Sequence, residues 1–134
     1  MRVRKDELRP LRAEDDVVRA RQSVRAWAVE LGFSLVDQTK LVTAASELAR
    51  NTVVYGGGGT VRMEVLEDGA RTGLRLAFED QGPGIGDVER ALEDGYTTGG
   101  GLGLGLGGAR RLVNEFAIHS VPGEGTRITV VKWK

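Results

Sequence analysis

The sequence predicts an α+β fold, a two-layer sandwich in which a mixed or antiparallel sheet carries helices packed on one face. Three observations lead there. Two segments with apolar residues at helical spacing come first, and alternating strand patterns follow them. A glycine-rich excursion and a further helix then precede a closing hairpin. A dinucleotide-binding βαβ unit would need strand, Gly-x-Gly-x-x-Gly and helix in immediate succession, and that order is absent here.

Residues 2–12 are weakly patterned and fit an edge strand. Ala13-Glu14-Asp15-Asp16 places acid at a helix start, where the helix dipole favours it. Val17, Val18, Ala20, Val24, Trp27, Ala28 and Leu31 recur at helical spacing, and Gly32 stops the run. Ser34 is the expected N-cap of a second helix, striped by Leu41, Ala45, Leu48 and Thr52 and ended by Gly56 to Gly59. Thr60 to Leu66 and Leu74 to Phe78 alternate as strands, and Glu67-Asp68-Gly69-Ala70 between them carries a hairpin signature. A short helix is expected from Asp87 to about Glu93, and another from Ala109 to Asn114. Phe116 to Val121 and Thr126 to Trp133 read as strands around the turn Pro122-Gly123-Glu124-Gly125.

Composition narrows the function classes. At 134 residues the chain is most simply one domain, 1–134, able to bury a core without staples. Lys plus Arg and Asp plus Glu each number 19, which leaves no global field for nucleic acid or an anionic membrane. There is no cysteine, and His119 is the only histidine. Disulfides, thiolate metal sites, cysteine nucleophiles and histidine-based triads are therefore excluded within this chain. No stretch approaches the roughly 20 apolar residues of a membrane span, and the first residues do not form a secretory signal. A soluble cytoplasmic protein is expected.

Glycine concentrates where backbone must approach something closely or move, and here it gathers in three clusters: 56–59, 82–86 and 99–108. Around them stand the residues that can carry chemistry. Glu47 and Asn51, four apart on the second helix, share one face. An amide oxygen suits Mg2+, whose remaining ligands come from phosphate and water, while the glutamate could orient or deprotonate an attacking hydroxyl. A solvated face with a Glu47–Arg50 contact is the alternative. Asp80 ends a strand at a glycine turn, where its acceptor-only carboxylate could receive the exocyclic amine of adenine. Gly82, Gly84 and Gly86 would let the base lie against backbone, with Ile85 as an apolar floor; a self-capping turn is the alternative.

The leucine–glycine stretch through Leu102, Leu104 and Leu106 lacks serine and runs into a helix, which favours a phosphate lid over a flexible linker. Arg110 and Arg111 could assist, or face solvent or a partner. Thr126 could place a hydroxyl near adenine through water, or simply open a strand. His119 is expected to be an ordinary strand residue, and Trp27 and Trp133 to serve packing.

Taken in order, Glu47-Leu48-Ala49-Arg50-Asn51, Asp80-Gln81-Gly82-Pro83-Gly84-Ile85-Gly86, Gly101-Leu102-Gly103-Leu104-Gly105 and Gly125-Thr126 resemble the N box, the two glycine boxes and the final box of the GHKL, or Bergerat-fold, ATPases. Tyr55 with Gly56 to Gly59, Asp94-Gly95-Tyr96-Thr97-Thr98, Gly107 to Val113 and Lys132-Trp133 bring the resemblance to the RsbT-type serine/threonine switch kinases within that superfamily. It spans nearly the whole chain, most strongly residues 40–134. The resemblance implies ATP and Mg2+ as cofactors. It implies Glu47 as catalytic base, Asn51 as the Mg2+ ligand and Asp80 as the adenine ligand. Gly82, Gly84, Gly101, Gly103 and Gly105 would line the nucleotide pocket, and Leu102 and Leu104 lie within the lid.

It further implies phosphorylation of a STAS-domain antagonist or scaffold (RsbS/RsbR-like), often in a stressosome, followed by release and activation of a PP2C-type (RsbU-like) phosphatase. Thr52 to Tyr55 depart from relatives that carry Lys or His after the N-box asparagine. The competing readings are an anti-sigma factor or ATP-dependent binding switch with little catalysis, and a detached histidine-kinase catalytic domain. The last would need its phospho-acceptor histidine in trans.

Overall fold

A computed structural model describes residues 1–93 and 105–134. The elements run β1 (Arg2–Leu11), α1 (Glu14–Glu30), α2 (Leu35–Val54), β2 (Gly59–Asp68), β3 (Arg71–Asp80), α3 (Val88–Ala91), α4 (Gly105–Arg111), β4 (Glu115–Val121) and β5 (Gly125–Trp133). The five strands form one sheet in the order β1-β2-β3-β5-β4, and every neighbouring pair is antiparallel. Of the mixed and antiparallel sheets the sequence allowed, the second is the one adopted.

The register explains which strand residues face the helices. Val61, Phe78 and Ile128 align across β2, β3 and β5, as do Met63, Leu76 and Val130. All six are buried, and they form the core with Leu41, Ala45 and Leu48 of α2 and Val24 and Ala28 of α1. Asp80 and Thr126, two residues beyond Phe78 and before Ile128, therefore stand on the same inner face as a directly opposed pair. Lys132, also facing inward, reaches Asp37 in the first turn of α2 at 3.5 Å. Its neighbour Trp133 points to the open face, where Arg71 stacks on its ring and Glu115 accepts its indole N–H.

Helix ends follow local chemistry. Ser34 caps α2 by accepting the Asp37 N–H. At the other end the glycine run folds back over the last turn: Tyr55 and Gly56 N–H groups meet the Asn51 carbonyl, and Gly58 N–H meets that of Thr52. Gly57 and Gly58 hold φ of 75° and 103°, conformations that favour glycine. In α1 the cap residue Ala13 offers no side chain. Asp16 compensates by reaching back to the Arg12 N–H at 2.8 Å and to its guanidinium.

Several boundaries differ from expectation, and the helix expected from Asp87 to about Glu93 spans only Val88–Ala91. β2 and β3 extend to Asp68 and Arg71, because their ladder continues through polar pairs until Gly69, at φ 62°, turns the chain. The helix expected from Ala109 to Asn114 instead spans Gly105–Arg111. Three of its seven residues are glycines, whose low helix propensity is overridden by packing. A Cβ on Gly107 would collide with the Leu92 carbonyl, so only glycine lets α4 settle against the residues after α3. At its far end Asn114 is drawn into the sheet, donating its N–H to the Val131 carbonyl and accepting the Trp133 N–H.

Candidate nucleotide site

Between the C-terminal half of α2, the inner ends of β3 and β5, the 83–87 loop, α3 and α4 lies a cavity of about 320 Å³. Its walls divide by chemistry. Phe78, Ile85, Ala91, Leu106 and Ile128 form an apolar lining, while Glu47, Asn51, Asp80 and Thr126 supply polar groups. Sequence elements up to about 80 residues apart thus converge on one space.

Glu47 and Asn51 reach it from one face of α2, as their spacing requires. Glu47 is buried at 3% exposure, and its Oε1 accepts the N–H of Gly105, the first residue of α4, at 3.0 Å. The carboxylate therefore caps α4 from across the cavity. Asn51 is half-buried, and its side-chain amide makes no hydrogen bond within the described residues. An amide with no protein partner on a pocket wall fits a cation that completes its shell with phosphate and water. No group of three or more acidic, His or Cys side chains among the described residues could hold a metal unaided.

Asp80 stands at the end of β3, its Oδ1 accepting the Gly82 N–H at 2.9 Å. The self-capping turn and the cavity-facing carboxylate are thus the same residue, which leaves Oδ2 for another donor. Thr126 and Ser120 share a hydrogen bond of 2.8 Å between their hydroxyls, and Ser120 Oγ accepts the Ile85 N–H at 2.7 Å. This chain of bonds moors the glycine loop to the β4–β5 hairpin. Gly84, at φ 76°, packs so closely on the Val121 carbonyl that no side chain fits there.

Gly84, Ile85 and Gly86 line the cavity as expected from the sequence, and so does Gly105. Gly82 does not. It packs against Gly56 at the end of α2, where a Cβ would lie 2.7 Å from the Gly56 Cα and O. Gly101, Leu102, Gly103 and Leu104 fall outside the described residues. Arg110 and Arg111 are exposed and do not line the cavity. Nor does His119, an exposed residue of β4.

Sequence reasoning missed Tyr55, Gly56, Phe78 and Arg90 as wall residues, whereas Leu106, singled out in the leucine–glycine stretch, does line the cavity. Phase alone could have found Phe78, since it shares a strand face with Asp80. Tyr55 and Arg90 border the cavity only because α2 ends and α3 begins beside it.

A two-layer α+β sandwich, with a helix-borne carboxylate and amide and a strand-end aspartate on one cavity, has the form of a nucleotide-binding domain. The model of the histidine kinase-, DNA gyrase B- and HSP90-like ATPases matches residues 36–134. The chain belongs to that family, and its all-antiparallel sheet under helices is the Bergerat fold. Within the family its sequence is of the RsbT type. It is 52% identical over 120 residues to the serine/threonine-protein kinase RsbT of Bacillus subtilis (strain 168), covering 90% of each chain. It is 31% identical over 121 residues to the anti-sigma F factor of Bacillus licheniformis, covering 84% of this chain and 81% of that one. Among solved structures, the RsbU and RsbW domains of a Mycobacterium tuberculosis protein align over 97% of this chain and 33% of theirs. The TM-score is 0.66 at 21% identity, a likeness of fold.

Proposed function

We propose that residues 1–134 act as one ATP-dependent kinase domain that phosphorylates serine or threonine on a STAS-domain partner. The carrying observation is that Glu47, Asn51, Asp80 and Thr126, scattered in sequence, face one cavity of nucleotide dimensions. Asp80 would receive the adenine amine, with Ile85 and Phe78 against the base. Asn51 would hold Mg2+, which neutralises charge on the phosphates as the phosphoryl group moves.

In the transfer, the acceptor hydroxyl oxygen bonds to the γ-phosphorus and the bond to the β,γ-bridging oxygen breaks, releasing ADP. The hydroxyl proton passes to the Glu47 carboxylate, one of whose oxygens is already oriented by the Gly105 N–H.

The relative RsbT is named a serine/threonine-protein kinase, and 52% identity over 90% of both chains supports the same chemistry here. Release of the kinase from its phosphorylated partner, an RsbS/RsbR-like scaffold, would free it to activate an RsbU-like PP2C-type phosphatase. Among the described residues no helix is long and apolar enough to cross a membrane.

Radiolabelled ATP tests this reading. Label should pass to a STAS-domain partner as acid-stable phosphoserine or phosphothreonine. The transfer should disappear in Asn51→Ala while thermal unfolding stays cooperative; full activity in that variant removes Asn51 from the mechanism. The similarity to anti-sigma F factors carries a second reading, sequestration of a sigma factor with little catalysis. Capture of a sigma factor without any phosphate transfer would favour it.

A further inference from the structure

Three glycines from three separate motifs converge on Asp80. Gly82 donates its N–H to Asp80 Oδ1 at 2.9 Å and lies on Gly56. Gly125, at φ 127°, lies so close to the Asp80 carbonyl that no Cβ could be accommodated. Gly56 faces the carboxylate itself: a Cβ there would sit 2.5 Å from Asp80 Cβ and Oδ2, and closer still to Cγ. Real Cβ atoms do not approach other atoms to such distances, so one of the two groups would have to move.

What distinguishes Gly56 is the reason it must be glycine. Its φ is not positive, so an alanine there meets no backbone strain. The three atoms nearest to its missing Cβ all belong to the Asp80 side chain. Gly82 and Gly125, by contrast, abut backbone. A methyl group at 56 therefore meets the Asp80 side chain first, and its expected effect is to displace that carboxylate from its bond to Gly82.

We propose that Gly56, the residue immediately after the α2 C-cap Tyr55, is a specificity-determining positioning residue that holds the Asp80 carboxylate in register for an amine-bearing purine. The inference rests on the reading of Asp80 as the adenine ligand. It gives a task to the first glycine cluster, which the chemistry of the other boxes leaves unused. It also couples the two walls of the cavity, because Gly56 directly follows the C-cap of the helix that carries Glu47 and Asn51.

Two measurements on the whole chain test it. In the first, affinities for ATP and for inosine triphosphate, which carries a carbonyl in place of the amine, are compared in wild type, Gly56→Ala and Asp80→Ala. Wild type should prefer ATP, and Gly56→Ala should lose roughly tenfold or more of that preference, the scale of one hydrogen bond to a charged group. Its affinity for inosine triphosphate should change far less. A Gly56→Ala protein that keeps the wild-type preference, or weakens both nucleotides equally, overturns the proposal. A wild type that binds both alike overturns the adenine reading of Asp80 itself.

The second measurement needs no nucleotide. Thermal unfolding of Gly56→Ala should be shifted down in the wild-type background but unshifted in Asp80→Gly, where the obstructing side chain is gone. An equal shift in both backgrounds would show that the methyl group strikes something other than Asp80, and overturns the proposal even if Gly56→Ala alone fails to fold.

Discussion

Single side chains here do work that their position in the sequence only partly announces. Asp16 looks like one of three acids at a helix start, yet it is the one that is buried and bonded to Arg12. The Arg12 guanidinium and backbone N–H hold its carboxyl down to about 2, below the unfolded value of about 3.9. A depressed folded value means stability that is present above the unfolded one and lost as pH falls toward the folded one. Acid unfolding between about pH 4 and pH 2 should accordingly be shallower in Asp16→Asn than in wild type, as circular dichroism across that range would register. Ser120 acts at longer reach. Ser120→Ala leaves the Ile85 N–H without its acceptor and loosens the glycine loop, which the bond from the Gly123 N–H to the Pro83 carbonyl still ties to the hairpin. Calorimetric titration should find ATP affinity several-fold weaker, while turnover at saturating ATP stays near that of the wild type.

At the scale of elements, α2 organises the site by offering two faces. Its inner stripe of Leu41, Ala45, Leu48 and Thr52 is buried against the sheet, and the adjoining edge presents Glu47 and Asn51 to the cavity. That much follows from a period of 3.6 residues. Helix α4 follows from no such pattern, since glycines and packing partners define it. Glu47 links the two helices through the Gly105 N–H, so its structural and chemical roles can be separated. Glu47→Gln retains an acceptor oxygen and should keep the amides of residues 105–111 protected from hydrogen exchange while phosphoryl transfer falls by orders of magnitude. Glu47→Ala removes the cap and should lose both. If the glutamine variant exchanged as fast as the alanine variant, the capping role would be wrong.

On the scale of the whole molecule, one core underlies both layers and reaches the cavity floor through Phe78 and Ile128. Stability and nucleotide binding are consequently coupled. Leu48→Ala, at a fully buried position of α2, should cost about 3 kcal/mol in denaturant unfolding. ATP at about a hundred times its dissociation constant should return roughly 2.7 kcal/mol by mass action. Asp80→Ala should flatten that rise in melting temperature at the same ATP concentration. An undiminished rise in Asp80→Ala would place the nucleotide elsewhere.

Periodicity in the sequence located both long helices, and alternation located the strands, because each reports which side of an element meets the core. Glu47, Asn51 and Asp80 could be singled out for the same kind of reason: their spacing and their place at element edges are local properties. The family resemblance, resting on four motifs in order, was likewise legible before any coordinates. Register was not. Only the paired sheet sets Asp80 opposite Thr126, and only close packing turns Gly56, Gly82 and Gly125 into neighbours of one carboxylate. Glycine has no side chain through which a sequence could declare its partner. What it contributes is space, and space is defined by the atoms that tertiary structure brings to its edge.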